Sequence, residues 1–375
     1  MLSRYIARLF SYGPNPAMDK WKAEQAAAAA ARPYSGIAID HQRDSRNPYG
    51  GRPVPKEALL EGVEPNGGFL DNWHEDWHVV LAANGTDALV FSTLFVAETS
   101  IGDVIYDEDD RRAEELDSAQ RLADTISIHV RLEDGANECR RVVKFLGSSP
   151  SSYRIEYLHA YPRTIETSDA EFDPDVVLAL HQRWALQCLA ACRYIHAKGI
   201  IINASLGECT WLRPDLSLVI AGLVAASCPE LEISPGFWLT EAELCSPFRD
   251  TDSPKTDLFN WACWIYELMT DRSHPLVPLE IAADDVGTYM MGEEGRAREM
   301  VAQKGTFRDW PVLKKEQLGP CLFKAWNGEY ESAEDALHDV RSVLRDCGRV
   351  LTADIEDEIS GFDWEVEFRN DGPPT

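Results

Sequence analysis

The side chains that could do chemistry in this sequence are numerous but thinly concentrated. Acidic residues number 63 against 36 basic ones, a net charge of −27, so carboxylates for acid–base or metal work abound. The stretch Ile202-Asn203-Ala204-Ser205-Leu206-Gly207-Glu208-Cys209 offers one carboxylate and one thiol. Glu208 is its one candidate base or metal ligand, and Cys209 offers sulfur, a poor match for a hard cation. The chain holds no Walker-type phosphate loop, no HExxH pair, no G-x-S-x-G elbow and no zinc-ligand spacing. Nine cysteines occur without a CxxC pair. Cys188 and Cys192 stand four apart on one helix face and read as buried thiols, and the odd count fits a reducing compartment. Eleven tryptophans belong mostly to the core.

These residues need elements to hold them. Hydrophobic residues at 45% and charged residues at 26% give an ordinary globular balance, and no apolar run reaches the length of a membrane span. Residues 1–66 read as a poorly structured extension with an alanine tract, Ala26 to Ala31. Trp77 to Leu81 and Ala88 to Ser92 are short apolar runs about Asn84-Gly85, a hairpin signal. Asp103 to Asp124 reads as a solvated, partly helical insert. Thr125 to Val130 alternates as a strand, Glu138 to Leu146 has a helical pattern, and Tyr153 to Leu158 is another strand. Val176 to Ala197 carries the stripe of a long core helix that Gly199 stops. Ile200 to Ile202 and Leu216 to Ala221 are strand-like. Lys255 to Asp271, Leu313 to Trp326 and Ala333 to Leu344 are helices.

The run from Arg183 to Val224 resembles a eukaryotic protein kinase. Tyr194-Ile195-His196-Ala197-Lys198-Gly199-Ile200-Ile201 looks like the lead into the catalytic loop, which in that family continues His-Arg-Asp-x-x-x-x-Asn. The strand Asp215 to Ala221 should then end in Asp-Phe-Gly, and ends in Gly222-Leu223-Val224. Lys255-Thr256-Asp257-Leu258-Phe259-Asn260-Trp261-Ala262 resembles the start of the large-lobe central helix. Lys324 to Ala333 looks like the last helical segments of the divergent kinase-like proteins of filamentous fungi. The likeness covers roughly residues 75 to 347 and is stronger in the second half.

The resemblance implies an α+β, bilobal protein-kinase-like fold. Its small β-rich lobe would span 67–168, its larger helical lobe 169–350, and an acidic tail would occupy 351–375. It also implies that the chemistry is gone. Ala204 stands where the catalytic aspartate belongs, Cys209 where the metal-binding asparagine belongs, and Gly222 where the metal-binding aspartate belongs. For nucleotide contacts the likeness points to Gly85 in a degenerate glycine loop. His129 takes the third-strand lysine position, with Arg131 on the same strand face as a substitute cation and Glu138 as the helical partner. Asp257 would hydrogen-bond the catalytic-loop backbone, a structural duty, and His196 would pack beneath that loop. Trp326 would anchor the last helices.

The function so implied is that of a pseudokinase acting by protein binding or scaffolding, with no cofactor expected and ATP with magnesium in doubt. The alternative is a divergent ATP-binding kinase with residual phosphotransferase activity through non-standard residues, Glu208 among them. The charge argues for another protein as partner and against nucleic acid or an anionic membrane. A cytoplasmic or nuclear location fits, with mitochondrial import a minority reading of the arginines in Met1 to Phe10. The tail from Asp354 to Asp371 interleaves acids with Phe362, Trp364 and Phe368. It reads as a solvated tail or as a segment that docks on a basic partner.

Overall fold

The computed structural model describes residues 65–73, 77–82, 87–92, 108–133, 139–149, 152–160, 173–207, 209–213, 215–235, 248, 253–270, 312–352 and 357–364. Gly85, Glu138 and Glu208 lie outside them, as do the alanine tract and most of the N-terminal extension. In this part the chain mixes helix and strand, as an α+β class requires. No described helix is long and apolar enough to cross a membrane.

Strands β1 (Pro65–Trp73), β2 (Trp77–Ala82), β3 (Asp87–Ser92), β4 (Phe145–Ser149) and β5 (Ser152–Glu156) form one sheet in the order β1-β2-β3-β5-β4. All of its pairs are antiparallel, and Leu81 faces Ala88 across the expected hairpin. Ala88, Leu89 and Val90 are fully buried, so β3 is covered on both faces. Trp77 and Val79 alternate inward beside it and share a core with Leu122, Tyr153, Ile155, Trp211 and Val219.

Helix α1 (Glu108–Glu133) corrects two expectations. Thr125 to Val130 is helical, not a strand, and of the expected helix Glu138 to Leu146 the described part, Cys139 to Leu146, is a turn leading into β4. The alternation of Ile126, Ile128 and Val130 is real but short. Over the longer window Ser118, Leu122, Thr125, Ile128, His129 and Leu132 are the buried residues, a helical period that outweighs β-branched propensity. The Thr125 hydroxyl donates to the Arg121 carbonyl at 2.8 Å, and Ser127 to Ala123 at 2.8 Å, which absorbs their polarity within the helix.

Helix α2 (Pro174–Ala197) starts where the Asp173 carboxylate accepts from the Asp175 amide at 2.9 Å, with Pro174 in the first turn. It ends at Gly199, whose φ of +72° suits a residue without a side chain. Nearly every position from Val177 to Cys192 is buried, and Cys188 and Cys192 are buried free thiols. Around it lie β6 (His159–Ala160), β7 (Thr210–Leu212) and β8 (Leu218–Ile220), which form a second, three-stranded sheet. Helices α3 (Pro254–Thr270), α4 (Gly319–Trp326) and α5 (Ala333–Asp346) complete the larger core. Trp326 is buried against Tyr266, ring centroids 5.4 Å apart.

In residues 357–364 of the acidic tail Asp357, Ile359 and Trp364 are buried, and the basic partners of Asp357 and Glu358 belong to this chain. Asp357 accepts from Arg141 at 2.7 Å and from Arg140 at 2.6 Å. Glu358 takes both forks of Arg183, one at 3.0 Å, and the Gln187 amide at 3.1 Å. Trp364 lies over the Arg183 guanidinium, 4.9 Å from its ring centroid, and stacks on Phe362. Burial alone would raise the Asp357 carboxyl, but the hydrogen bond and charge of Arg141 hold it below the ordinary range. In a chain of such negative charge, these arginines have drawn in the acids that follow the last helix.

Arg183 is 2% exposed, so removing Glu358 leaves a buried charge to the more distant Asp215 carboxylate, 3.6 Å away. Glu358→Ala is expected to cost about 3 kcal/mol, the low end for a broken buried pair, because Arg183 keeps the Asp215 carbonyl at 2.7 Å. Urea unfolding reads this. Replacing both partners, Arg183→Met with Glu358→Leu, is expected to cost less than the single Glu358 change.

Candidate functional site

The loop after α2 is held from beneath by one carboxylate. Asp257, in the first turn of α3, is fully buried. Its Oδ2 accepts from the Ile202 amide at 2.8 Å and its Oδ1 from the Asn203 amide at 2.9 Å. His196 Nε2 lies 2.9 Å from the same Oδ2. Three polar groups of one turn therefore converge on a single side chain, and the backbone between His196 and Ala204 is set by that grip. Asn203 sits at φ +54°, a left-handed conformation that asparagine tolerates better than most residues. Its side-chain amide donates to Ser227 Oγ at 2.8 Å.

The rest of the loop is fastened to α3 and to the strand that follows. Asn260, one turn beyond Asp257, donates to the Ala204 carbonyl at 3.3 Å. The Cys209 carbonyl accepts from the amides of Ala221 at 2.7 Å and Gly222 at 3.1 Å. A Cβ on Gly207 would lie 2.7 Å from the Trp264 ring, so the close approach of loop and helix demands glycine there.

This brings Cys209 and Gly222 together through their backbones and sets Ala204 against α3. Ala204 and Cys209 are 1% and 3% exposed, and Gly222 is buried. What they present is a methyl, a thiol and a bare backbone. None of these is a hard oxygen ligand, so the positions do not fit magnesium. Among the described residues no three His, Cys, Asp or Glu side chains gather as a metal site would need.

His129 and Arg131 were expected on one strand face; both lie in the last turns of α1. His129 is 1% exposed and stacks on Phe145, centroids 5.4 Å apart, with Tyr153 at 5.1 Å. Among the described residues its Nε2 and the Tyr153 hydroxyl find no hydrogen-bond partner. Burial drives the imidazole pKa down to about 4, so the ring is neutral near pH 7. Burial, with the Cys209 sulfur as a lesser cause, pushes the Tyr153 phenol well above its ordinary value. His129 thus fills an aromatic core. Arg131 is engaged too, donating to the Lys198 carbonyl and pairing with Glu230, which ties α1 to the helix end and to the turn at Pro229–Leu231.

Sequence reasoning found Asp257, His196 and the loop, and missed Asn260, Ser227, Trp264 and the His129–Phe145–Tyr153 stack. A local signal existed for Asn260, since Asp257 and Asn260 are three apart on a helix and must share a face. Trp264 and Ser227 meet the loop only through the fold. No family model and no curated protein matches the chain.

Proposed function

We propose that this chain is a degenerate protein-kinase-like domain that acts by binding another protein rather than by transferring phosphate. The observation that carries the reading is the Asp257 grip on Ile202 and Asn203, with His196 sharing its oxygen. That is the structural duty the kinase resemblance assigns to this aspartate. The frame is kept while the positions that would handle magnesium and the attacking hydroxyl hold Ala204, Cys209 and Gly222.

The element order supports the same reading. A small antiparallel sheet and one long helix come before a mainly helical body, as two kinase-like lobes would. On this view the strand preceding the helix is β3, so the lysine position moves from His129 to the stretch Asp87–Ser92. That stretch holds no lysine or arginine, and Asp87 adds an anion, paired with Arg154 at 3.0 Å. Phosphoryl transfer works mainly by positioning and charge neutralisation, and here the cation and the metal ligands are missing together. ATP and magnesium therefore have no part in this function.

A phosphotransfer assay tests the proposal. With radiolabelled ATP, magnesium and a general protein substrate, the full chain is expected to transfer no label above the buffer blank. Transfer that rises with enzyme concentration and disappears in Glu208→Ala would instead establish an enzyme working through a non-standard base.

A further inference from the structure

Helix α1 buries one face and leaves a second apolar stripe open. Leu116, Ala119, Ala123, Ile126 and Val130 follow the spacing i, i+3, i+7, i+10, i+14, which keeps them in one line along a helix. Leu116 is 65% exposed and Val130 54%; Ala119 and Ala123 are exposed and Ile126 is half-buried. The stripe runs about 21 Å at the helical rise. Near its end it opens into a groove of 640 Å³ between α1 and the turn that carries Leu231, itself 38% exposed. The interior side of α1 is a different set, Ser118, Leu122, Thr125, Ile128, His129 and Leu132; of the stripe, Ile126 also packs against the core, while Leu116, Ala119, Ala123 and Val130 are exposed.

The charges around it indicate what would cover it. Asp117 and Glu133 on α1, and Glu230 and Glu232 on the turn, are exposed, and Asp124 is half-buried. Among the described side chains of α1, both arginines are already committed. Arg121 donates to the carbonyls of Ser234 at 2.9 Å and Pro235 at 3.0 Å, and Arg131 pairs with Glu230. An apolar line with an acidic surround, on a chain of net charge −27, repels a second copy of itself and attracts a cationic partner.

We propose that the outer face of α1 is a docking surface for a basic amphipathic helix. The partner lays apolar residues at i, i+3 or i+4 and i+7 along Leu116 to Val130 and seats its last anchor between Val130 and Leu231. Its lysines or arginines meet Asp124, Glu133 and Glu232. The inference rests on the protein-binding reading and supplies the chemistry of the partner. Its assay contains no nucleotide, so its failure is distinct from a failure of the pseudokinase reading, which phosphotransfer decides.

The probe is a labelled synthetic helix with leucines at i, i+3 and i+7 and lysines elsewhere, titrated with the full chain by fluorescence anisotropy. Binding is expected to weaken about tenfold or more in Leu116→Ser/Val130→Ser, a loss of roughly 1.4 kcal/mol, with an unchanged thermal melt. Should that variant melt early, Asp124→Asn/Glu133→Gln serves instead and is expected to weaken binding and flatten its salt dependence. A control helix with glutamates in place of lysines is expected not to bind. Equal binding by the wild type and the altered chains would mean only diffuse attraction of a cation to an acidic protein, and overturns the proposal. So does absence of binding, and so does a dimer in sedimentation that Val130→Ser abolishes, which would assign the stripe to a second copy.

Discussion

Asp257→Ala is expected to destabilise the chain by about 4 kcal/mol, because each buried donor left without an acceptor costs about 1–3 kcal/mol. The Ile202 and Asn203 amides and His196 lose their acceptor at once. No other described element is placed to take over, since the loop is enclosed by α2 and α3. Asp257→Asn keeps one acceptor oxygen but points an amide at a donor, so about half of the loss should remain. Urea unfolding at pH 7 reads both. A loss below about 1 kcal/mol for the alanine change would mean that the loop is set by something other than this carboxylate. The expected damage is structural, and it falls on the element that the resemblance identifies as the former catalytic loop.

The second large effect is with pH. His129 and His181 are 1% and 2% exposed, each has an Nε2 without a partner, and burial lowers each pKa from 6.5 to about 4. Both rings are neutral in the folded chain above pH 4. The unfolded chain takes up a proton at each as pH falls through 6.5, which the folded chain cannot match until about pH 4. Stability from these groups is therefore full above pH 6.5, falls between 6.5 and 4, and is flat below. A shift of about 2.5 units corresponds to about 3 kcal/mol for each ring. The depressed aspartates, among them Asp357 and Asp215, add their own loss below about pH 5, so the histidine effect is read above that. His129→Phe, which suits the stack with Phe145 and Tyr153, should lower the slope of urea midpoint against pH between 6.5 and about 5. An unaltered slope would mean that His129 takes up its proton in the folded state.

What could be read from residues alone was the local part. The α2 helix carries its stripe and its stop at Gly199 in sequence, α3 and α5 were placed within two residues of their bounds, and Asn84-Gly85 marked the β2–β3 hairpin. The stretch Thr125 to Val130 misled because six alternating residues cannot outvote the burial period of a 26-residue helix. β1 has glycines, asparagines and Asp71 where a strand usually has β-branched residues, so it has no strong pattern of its own and forms by pairing with β2. The tail misled for a different reason. Asp357 and Glu358 find Arg140, Arg141, Arg183 and Gln187 across separations of 171 to 217 residues, and no local reading carries such contacts. At the candidate site, the identities of Ala204, Cys209 and Gly222 were plain in the sequence. The hold of Asn260 on Ala204 and of Trp264 on Gly207, and the retreat of His129 into an aromatic core, are products of packing.

The central claim is that the frame remains while the means of holding a nucleotide and its metal are gone. A thermal-shift titration of the full chain with ATP and magnesium tests it most directly. A ligand that binds only the folded state raises its stability by RT ln(1 + [L]/Kd), so any genuine site must show a midpoint that climbs with ATP. The account predicts a midpoint that stays level through millimolar ATP with magnesium. A steady climb with the logarithm of ATP concentration, absent when magnesium is chelated, would contradict it.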